Sequence, residues 1–199
     1  PYLSRGLGDV YKRQQLTITS IMKHADKIHG ASEIVSFTAD NPTHRYTYKD
    51  AFKRTRQLAN ALNALKLKKG DRIATLAWND YRHFELYYAI SCSGQICHTI
   101  NPRLFPEQIE FIINHAEDKW IFTDPLFVPL LEALKDKLTS VEGYVVLTSE
   151  ESMPECSLEN IHCYETFIKN QSEQFDWPKL EEETASSMCY TSGTTGNPK

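Results

Sequence analysis

Between Arg72 and Leu147 the chain alternates between short runs of β-forming residues and longer runs with helical spacing. No other feature narrows the fold as much. Arg72–Ala77, Ile96–Ile100, Trp120–Thr123 and Tyr144–Leu147 read as strands. Between them lie a helix over Tyr81–Ser93, closed by Gly94, and a second helix opened by Pro106 and running to about His115. Ile109, Phe111, Ile112 and Ile113 give that second helix its apolar side. A third helix is expected over Pro125–Leu138. Proline is tolerated in the first turn of a helix because the N–H it lacks has no partner there. Strands separated by helices of this length predict an α/β domain with a mostly parallel sheet flanked by helices.

The flanking segments are less regular. Leu16–His29 reads as a helix with Leu16, Ile21, Ala25 and Ile28 apolar. Ile34–Thr38 and Arg45–Tyr48 are strand-like around an Asp40-Asn41-Pro42 turn. Thr47 with Asp50 three residues on predicts a capping box. The helix it opens carries Phe52, Thr55, Leu58, Ala59, Leu62 and Leu65 at helical spacing. Beyond Leu147, Thr148–Ser157 reads as a polar loop, Cys163–Asn170 as a short helix, and Gln171–Thr184 as an acidic loop. Pro1–Gln14 follows no period and reads as a non-native, adapter-derived leader, so its Gly6-Leu7-Gly8 is not part of a dinucleotide fingerprint. One incomplete domain over residues 15–199 is the simplest organisation.

Charge and composition exclude several functions. The net charge of −4 provides no basic stripe for a phosphate backbone, which argues against a nucleic-acid partner. No apolar run is long enough to span a bilayer, and no secretory signal pattern is present. The five cysteines include no CxxC pair, and their odd number suits a reducing compartment. The expected location is cytoplasmic.

The chemistry is concentrated at the end of the chain. The short strand candidate Ala185–Tyr190 runs into Thr191-Ser192-Gly193-Thr194-Thr195-Gly196-Asn197-Pro198-Lys199. Glycines let backbone N–H groups turn inward and approach an anion closely, since no Cβ intervenes. Threonine and serine hydroxyls add donors, and lysine adds a mobile cation. Only two residues separate Gly193 from Gly196, and proline precedes the lysine, so this is neither a Walker A loop nor GxGxxG.

The string YTSGTTGNPK resembles the phosphate-loop signature of the adenylate-forming superfamily, which includes acyl-CoA synthetases, luciferases and peptide-synthetase adenylation domains. Further blocks carry the resemblance: His44–Leu62, Lys69-Gly70-Asp71-Arg72, and above all Leu76–Asp118, which is similar to the medium- and long-chain fatty-acid–CoA ligase branch. Together they run from about Gln15 to Lys199. The resemblance implies the N-terminal part of the large domain of that fold, truncated at the phosphate loop. It implies ATP, coenzyme A and Mg2+ as requirements and a small carboxylate as substrate. A fatty acid is the leading candidate, and 3-(methylthio)propionate or another short acid the alternative. Carried over residue by residue, Thr191, Ser192, Gly193, Thr194, Thr195 and Gly196 would bind the β- and γ-phosphates. Lys199 would lie beside them in a catalytic role, and Thr191 would contact magnesium. Whether the full-length enzyme is a homodimer stays open. The adenine, hinge and C-terminal residues of the family have no counterpart before Lys199, so the 199 residues alone are expected to be inactive. A peptide-synthetase or aryl-acid activator, and a non-catalytic nucleotide-binding module, are the competing readings.

Other residues invite chemistry but are better explained by packing. His83, His98 and His115 lack metal-ligand spacing and are expected to be structural. Cys189 is expected to be a small buried residue rather than a nucleophile. Trp78, Tyr81, Phe84, Tyr87 and Tyr88 are expected to serve the core or a subunit contact. Glu181-Glu182-Glu183 is expected to be a solvated acidic loop.

Overall fold

The computed structural model describes residues 15–38, 40 and 42–191. Residues 1–14, for which a leader is expected, lie outside the described residues. The first helix, α1 (Ile18–His29), begins two residues later than its apolar pattern suggests. Thr17 provides the cap, its Oγ1 accepting from the Ser20 N–H at 3.2 Å, and this leaves Leu16 outside and exposed. A separate antiparallel hairpin follows, β1 (Glu33–Ser36) with β2 (His44–Thr47). The predicted capping box then starts α2 (Tyr48–Ala64). Thr47 Oγ1 accepts from the Asp50 N–H, and Asp50 Oδ2 accepts from the Thr47 N–H.

The main sheet is built from β3 (Arg72–Leu76), β4 (Ile96–Thr99), β5 (Trp120–Thr123), β6 (Gly143–Val146), β7 (Ile161–Cys163) and β8 (Ser187–Cys189). Its spatial order is β7-β6-β5-β3-β4-β8, and every pair is parallel, as the alternation predicts. The crossover helices are α3 (Tyr81–Cys92), α4 (Pro106–Ala116) and α5 (Val128–Leu134), and α6 (Tyr164–Lys169) follows β7. The chain steps from β3 to β4 on one side, then returns to place β5 on the other side of β3. That reversal makes a topological switch point, where open parallel sheets leave a crevice beyond the carboxyl ends of their strands.

Both faces of the sheet are covered. On one, Leu58 and Leu62 of α2, Leu86 and Ile90 of α3, and Tyr164 and Ile168 of α6 pack on Ile73, Cys97, Phe122 and Val145. On the other, Ile109 and Ile112 of α4 with Val128 and Leu131 of α5 pack on Ala74, Ile121 and Val146. Adjacent strand residues thus serve opposite cores, so the strands read as continuous apolar runs rather than alternating ones. Two glycines have conformational reasons to be glycine. Gly94 closes α3 at φ +87, and a Cβ on Gly143 would fall 2.5 Å from the Trp120 ring of the neighbouring strand. Among the described residues no helix is long and apolar enough to cross a membrane.

Two expectations are corrected. The helix over Pro125–Leu138 is three pieces: a 3-10 turn at Pro125–Phe127, α5, and a second 3-10 turn at Lys135–Lys137. Pro129 has no N–H to bond back to residue 125, and its ring clashes with that carbonyl, so the α-helix restarts at Val128. The second correction is β7, a strand that the sequence pattern over residues 161–163 does not signal. It is three residues long and shows no alternation, but it pairs with β6 through Tyr144↔Ile161 and Val146↔Cys163.

Candidate functional site

The strand leading into the glycine-rich loop is fixed from β4. Its register is Cys97↔Ser187, His98↔Met188 and Thr99↔Cys189. The Ser186 carbonyl just before it accepts from the Cys97 N–H at 3.0 Å and from Ser91 Oγ at 2.8 Å. Because β8 is parallel to its neighbour, the loop leaves from the carboxyl end of the sheet, the end where α/β folds bind ligands. Thr191 is the one loop residue among those described, and it is exposed there. Ser192, Gly193, Thr194, Thr195, Gly196 and Lys199 lie outside the described residues. Since β8 is an edge strand in this structure, Cys189 is exposed and not buried as expected.

One residue before the loop, Tyr190 leans back on the sheet. Its ring lies 5.3 Å from that of His98, and its hydroxyl shares a 2.5 Å hydrogen bond with His115 Nδ1 on α4. His115 in turn stacks on Phe111 one helical turn earlier. Beneath the tyrosine, His98 Nδ1 and Asp118 Oδ2 are 2.7 Å apart, with both side chains fully buried. Burial raises the Asp118 pKa, and the hydrogen bond to His98 works against that rise. The Tyr190 pKa is raised as well, by burial first and by the nearby Asp118 charge second. His83 spends both ring nitrogens inside the fold, on the Trp78 carbonyl and Thr75 Oγ1, as a structural histidine would.

Beyond the ends of β3, β5 and β6, at the switch point, lies a cavity of about 630 Å³. Phe37, Trp78 and Leu126 give it apolar walls, while Asp40, Asp80 and Asp124 bring carboxylates. Asp124 Oδ2 accepts from the Trp78 N–H at 2.7 Å. Burial nevertheless raises its pKa to about 6, with repulsion from Asp80 contributing. Asp80 caps α3 through the His83 N–H, which positions the start of that helix.

A network of charges closes the cavity from below, and the sequence reading did not find it. Arg82, 3% exposed, reaches Asp40 Oδ2 at 2.8 Å, Glu165 Oε1 at 2.8 Å and the Leu147 carbonyl at 3.2 Å. Arg54 joins Glu85 at 2.8 Å to Glu165 at 3.0 Å, and the Tyr164 hydroxyl donates to Glu85 at 2.6 Å. Burial alone would raise the Asp40 pKa, but hydrogen bonds from Arg82 and Thr38 outweigh it and hold the value near about 2. Arg54 contacts partners 31 and 111 residues away, so no local sequence signal could have revealed it. The expectation for the aromatic stretch divides: Tyr81 is buried and Phe84 and Tyr88 pack around Phe52, while Trp78 and Tyr87 stay partly exposed. Glu181–Glu183 is exposed as expected, yet Glu182 Oε2 accepts from the Leu16 N–H at 3.1 Å and ties the start of the described chain to this loop.

Comparison with known proteins agrees with this architecture. The family model for AMP-binding enzymes matches residues 22–199. A medium-chain-fatty-acid–CoA ligase from Ectopseudomonas oleovorans is 44% identical over 187 residues, which is 94% of this chain and 34% of that protein. A 3-methylmercaptopropionyl-CoA ligase from Ruegeria lacuscaerulensis is 45% identical over 186 residues, again 94% of this chain and 34% of the relative. The chain thus spans about a third of the length of the curated relatives it matches. The fold superposes on the anthranilate CoA ligase AuaEII in complex with anthranoyl-AMP with a TM-score of 0.81 at 23% identity, covering 93% of this chain and 34% of that one. A parallel sheet that delivers a glycine- and threonine-rich loop at its carboxyl end, matched almost throughout by one family model, places this chain in the AMP-binding enzyme family.

Proposed function

We propose that these residues form the front of the large domain of an AMP-forming acyl-CoA ligase. The observation that carries this reading is the exit of Thr191 at the carboxyl end of a parallel sheet, at the head of the loop Ser192–Lys199. In the first half-reaction a carboxylate oxygen attacks the α-phosphorus of ATP, and pyrophosphate leaves as an acyl-adenylate forms. In the second, the thiol of coenzyme A attacks the acyl carbon and AMP leaves. This part of the chain contributes to the first step. The backbone N–H groups and hydroxyls of Thr191–Gly196 hold the β- and γ-phosphates, and Lys199 balances the charge that builds on the leaving pyrophosphate.

Thr191 is the magnesium ligand in this reading. Its hydroxyl is a hard oxygen donor of the kind magnesium takes, on a residue exposed at the carboxyl end of the sheet. A magnesium ion there would take its remaining ligands from phosphates and water, and would supply charge neutralisation.

A fatty acid is the substrate we favour. The near-equal identities to a medium-chain-fatty-acid ligase and a 3-methylmercaptopropionyl-CoA ligase support 3-(methylthio)propionate as the second reading. The test is ATP–pyrophosphate exchange by the full-length protein against medium- and long-chain fatty acids and 3-(methylthio)propionate. Exchange dependent on one of these acids is expected. Lys199→Ala should then reduce it on the order of 100-fold, the scale of losing one electrostatic stabiliser. ATP binding without exchange for any carboxylate would instead identify a nucleotide-binding module.

A further inference from the structure

The His98–Asp118 pair is unusual in what it leaves unmade. Both side chains are fully buried, and among the described residues neither His98 Nε2 nor Asp118 Oδ1 has a hydrogen-bond partner. A buried polar pair with open valences calls for an explanation, because an apolar pair of similar volume would fill the space without those losses. No part of the proposed reaction uses either group. Tyr190 stands above the pair. His98 stands opposite Met188 in the β4–β8 register, and residues 188 and 190 share a strand face, so the tyrosine ring projects back over the histidine. On the same face α4 offers His115 to the tyrosine hydroxyl, and Phe111 holds the His115 ring in place. Tyr190 is therefore held from β4 below and from α4 at its tip. The next residue, Thr191, opens the phosphate loop.

We infer that His98, Asp118 and His115 form a seat for Tyr190 that sets the direction in which the phosphate loop leaves the sheet, making Tyr190 a positioning residue for ATP. The inference rests on the reading of Thr191–Lys199 as a phosphate loop. A glycine-rich loop can present its N–H groups to a triphosphate only if its base is fixed, because every uncertainty in its take-off angle is lost as alignment at the phosphates. β8 is three residues long, and among the described residues it pairs with β4 through a short ladder, to which the seat adds a second hold at the strand's end.

The test uses the full-length protein with Tyr190→Phe, His115→Phe and the double variant. Tyr190→Phe keeps the ring on His98 and removes only the hydroxyl; His115→Phe keeps the stack on Phe111 and removes the other end of the same bond. Each single variant is expected to raise the KM for ATP roughly threefold to tenfold, the range for one net hydrogen bond. The carboxylate KM should not move, and the double variant should be no worse than either single one. Unchanged ATP KM in the single variants, additive effects in the double, or equal shifts for ATP and carboxylate would each overturn the inference. His98→Leu, which removes the support under the ring, should also raise the ATP KM. If the wild type adenylates no carboxylate, the proposed function fails; equilibrium titration with ATP then still reads the seat, through the affinity lost in Tyr190→Phe. A wild type that adenylates normally beside variants of undiminished ATP affinity would leave the function standing and remove the inference alone.

Discussion

Two clusters of buried ionisable groups lie on opposite faces of the same sheet, and they are built on different principles. On the face covered by α2, α3 and α6, Arg54, Arg82, Glu85, Glu165 and Asp40 form a continuous chain of charge-assisted hydrogen bonds, with Tyr81 and Tyr164 contributing hydroxyls. On the face covered by α4, His98 and Asp118 meet through one bond and keep two open valences. Arg54, Arg82, Glu85 and Glu165 each bond to more than one distant part of the chain, and Arg82 ties in Asp40, so the cluster acts as a clamp on three helices and the loop at Asp40. The second joins β4 to the turn after α4 through a single bond and lies beneath the Tyr190 ring. A densely satisfied network is thus a matter of stability here, and a sparsely satisfied pair points toward the site.

The largest effect should come from cutting the network at its most buried member. Glu85 is fully buried and serves both Arg54 and the Tyr164 hydroxyl. Glu85→Ala leaves a guanidinium facing a void, and breaking a buried pair from one side costs about 3–5 kcal/mol. Urea unfolding should show that loss as a lowered midpoint. A change below about 1 kcal/mol would show that the clamp contributes little and would erase the contrast between the two faces.

The same contrast marks the limit of what the sequence could reveal. The Thr47–Asp50 capping box, Pro106 opening α4 and Gly94 closing α3 are local arrangements whose physics spans three or four residues, and each is found where the pattern places it. The parallel sheet followed from alternation, which is also local. Arg54 and Glu165 are separated by 111 residues, and their pairing exists only once α2 and α6 have packed. The candidate phosphate loop could be read from sequence because the pattern is one contiguous string, Thr191–Lys199. Its support could not, since Tyr190 depends on residues 98, 115 and 118, drawn from a strand, a helix and the turn after it.

Acid should separate the faces next. Asp40 has its pKa lowered to about 2, and Glu165 is lowered too, since burial would raise it but Arg54 and Arg82 together outweigh that. A carboxylate with a depressed folded-state pKa contributes stability that is present above its unfolded value, near 4, and is lost as the pH falls through the folded value. Between about pH 4 and pH 2 the network should therefore weaken. Asp40→Asn should be less stable than the wild type at neutral pH, with the gap narrowing across that window. A gap independent of pH would mean that the Asp40 charge is irrelevant to the clamp.

Asp124 should behave in the opposite sense, because its folded pKa is raised to about 6. A carboxylate raised on folding weighs against the fold whenever it is ionised, and this penalty disappears as the pH falls below the unfolded value. Asp124→Asn keeps an acceptor for the Trp78 N–H and removes the charge. After allowance for its partial exposure, it should stabilise the protein by about 1 kcal/mol at pH 7 and by almost nothing below about pH 4. Thermal melts of the two proteins at both pH values give the comparison, and a destabilised variant at pH 7 would reverse the assigned sign.

The smallest change in stability should follow from the most drastic replacement on the other face. His98→Leu with Asp118→Val removes two buried polar groups together and leaves no partner behind, since neither makes a second hydrogen bond among the described residues. Replacing both members of a buried pair by apolar side chains is close to neutral, so the double variant should unfold within about 1 kcal/mol of the wild type. Asp118→Val alone leaves the His98 Nδ1 valence open and should cost about 1–3 kcal/mol. The equivalent double replacement in the network, Arg54→Leu with Glu85→Leu, still strips donors from Glu165 and the acceptor from Tyr164, so it should remain clearly destabilising. Equal losses from the two double variants would mean that the His98–Asp118 pair is as structural as the network. A neutral double variant with weakened ATP binding would place the cost of that pair on the loop it supports.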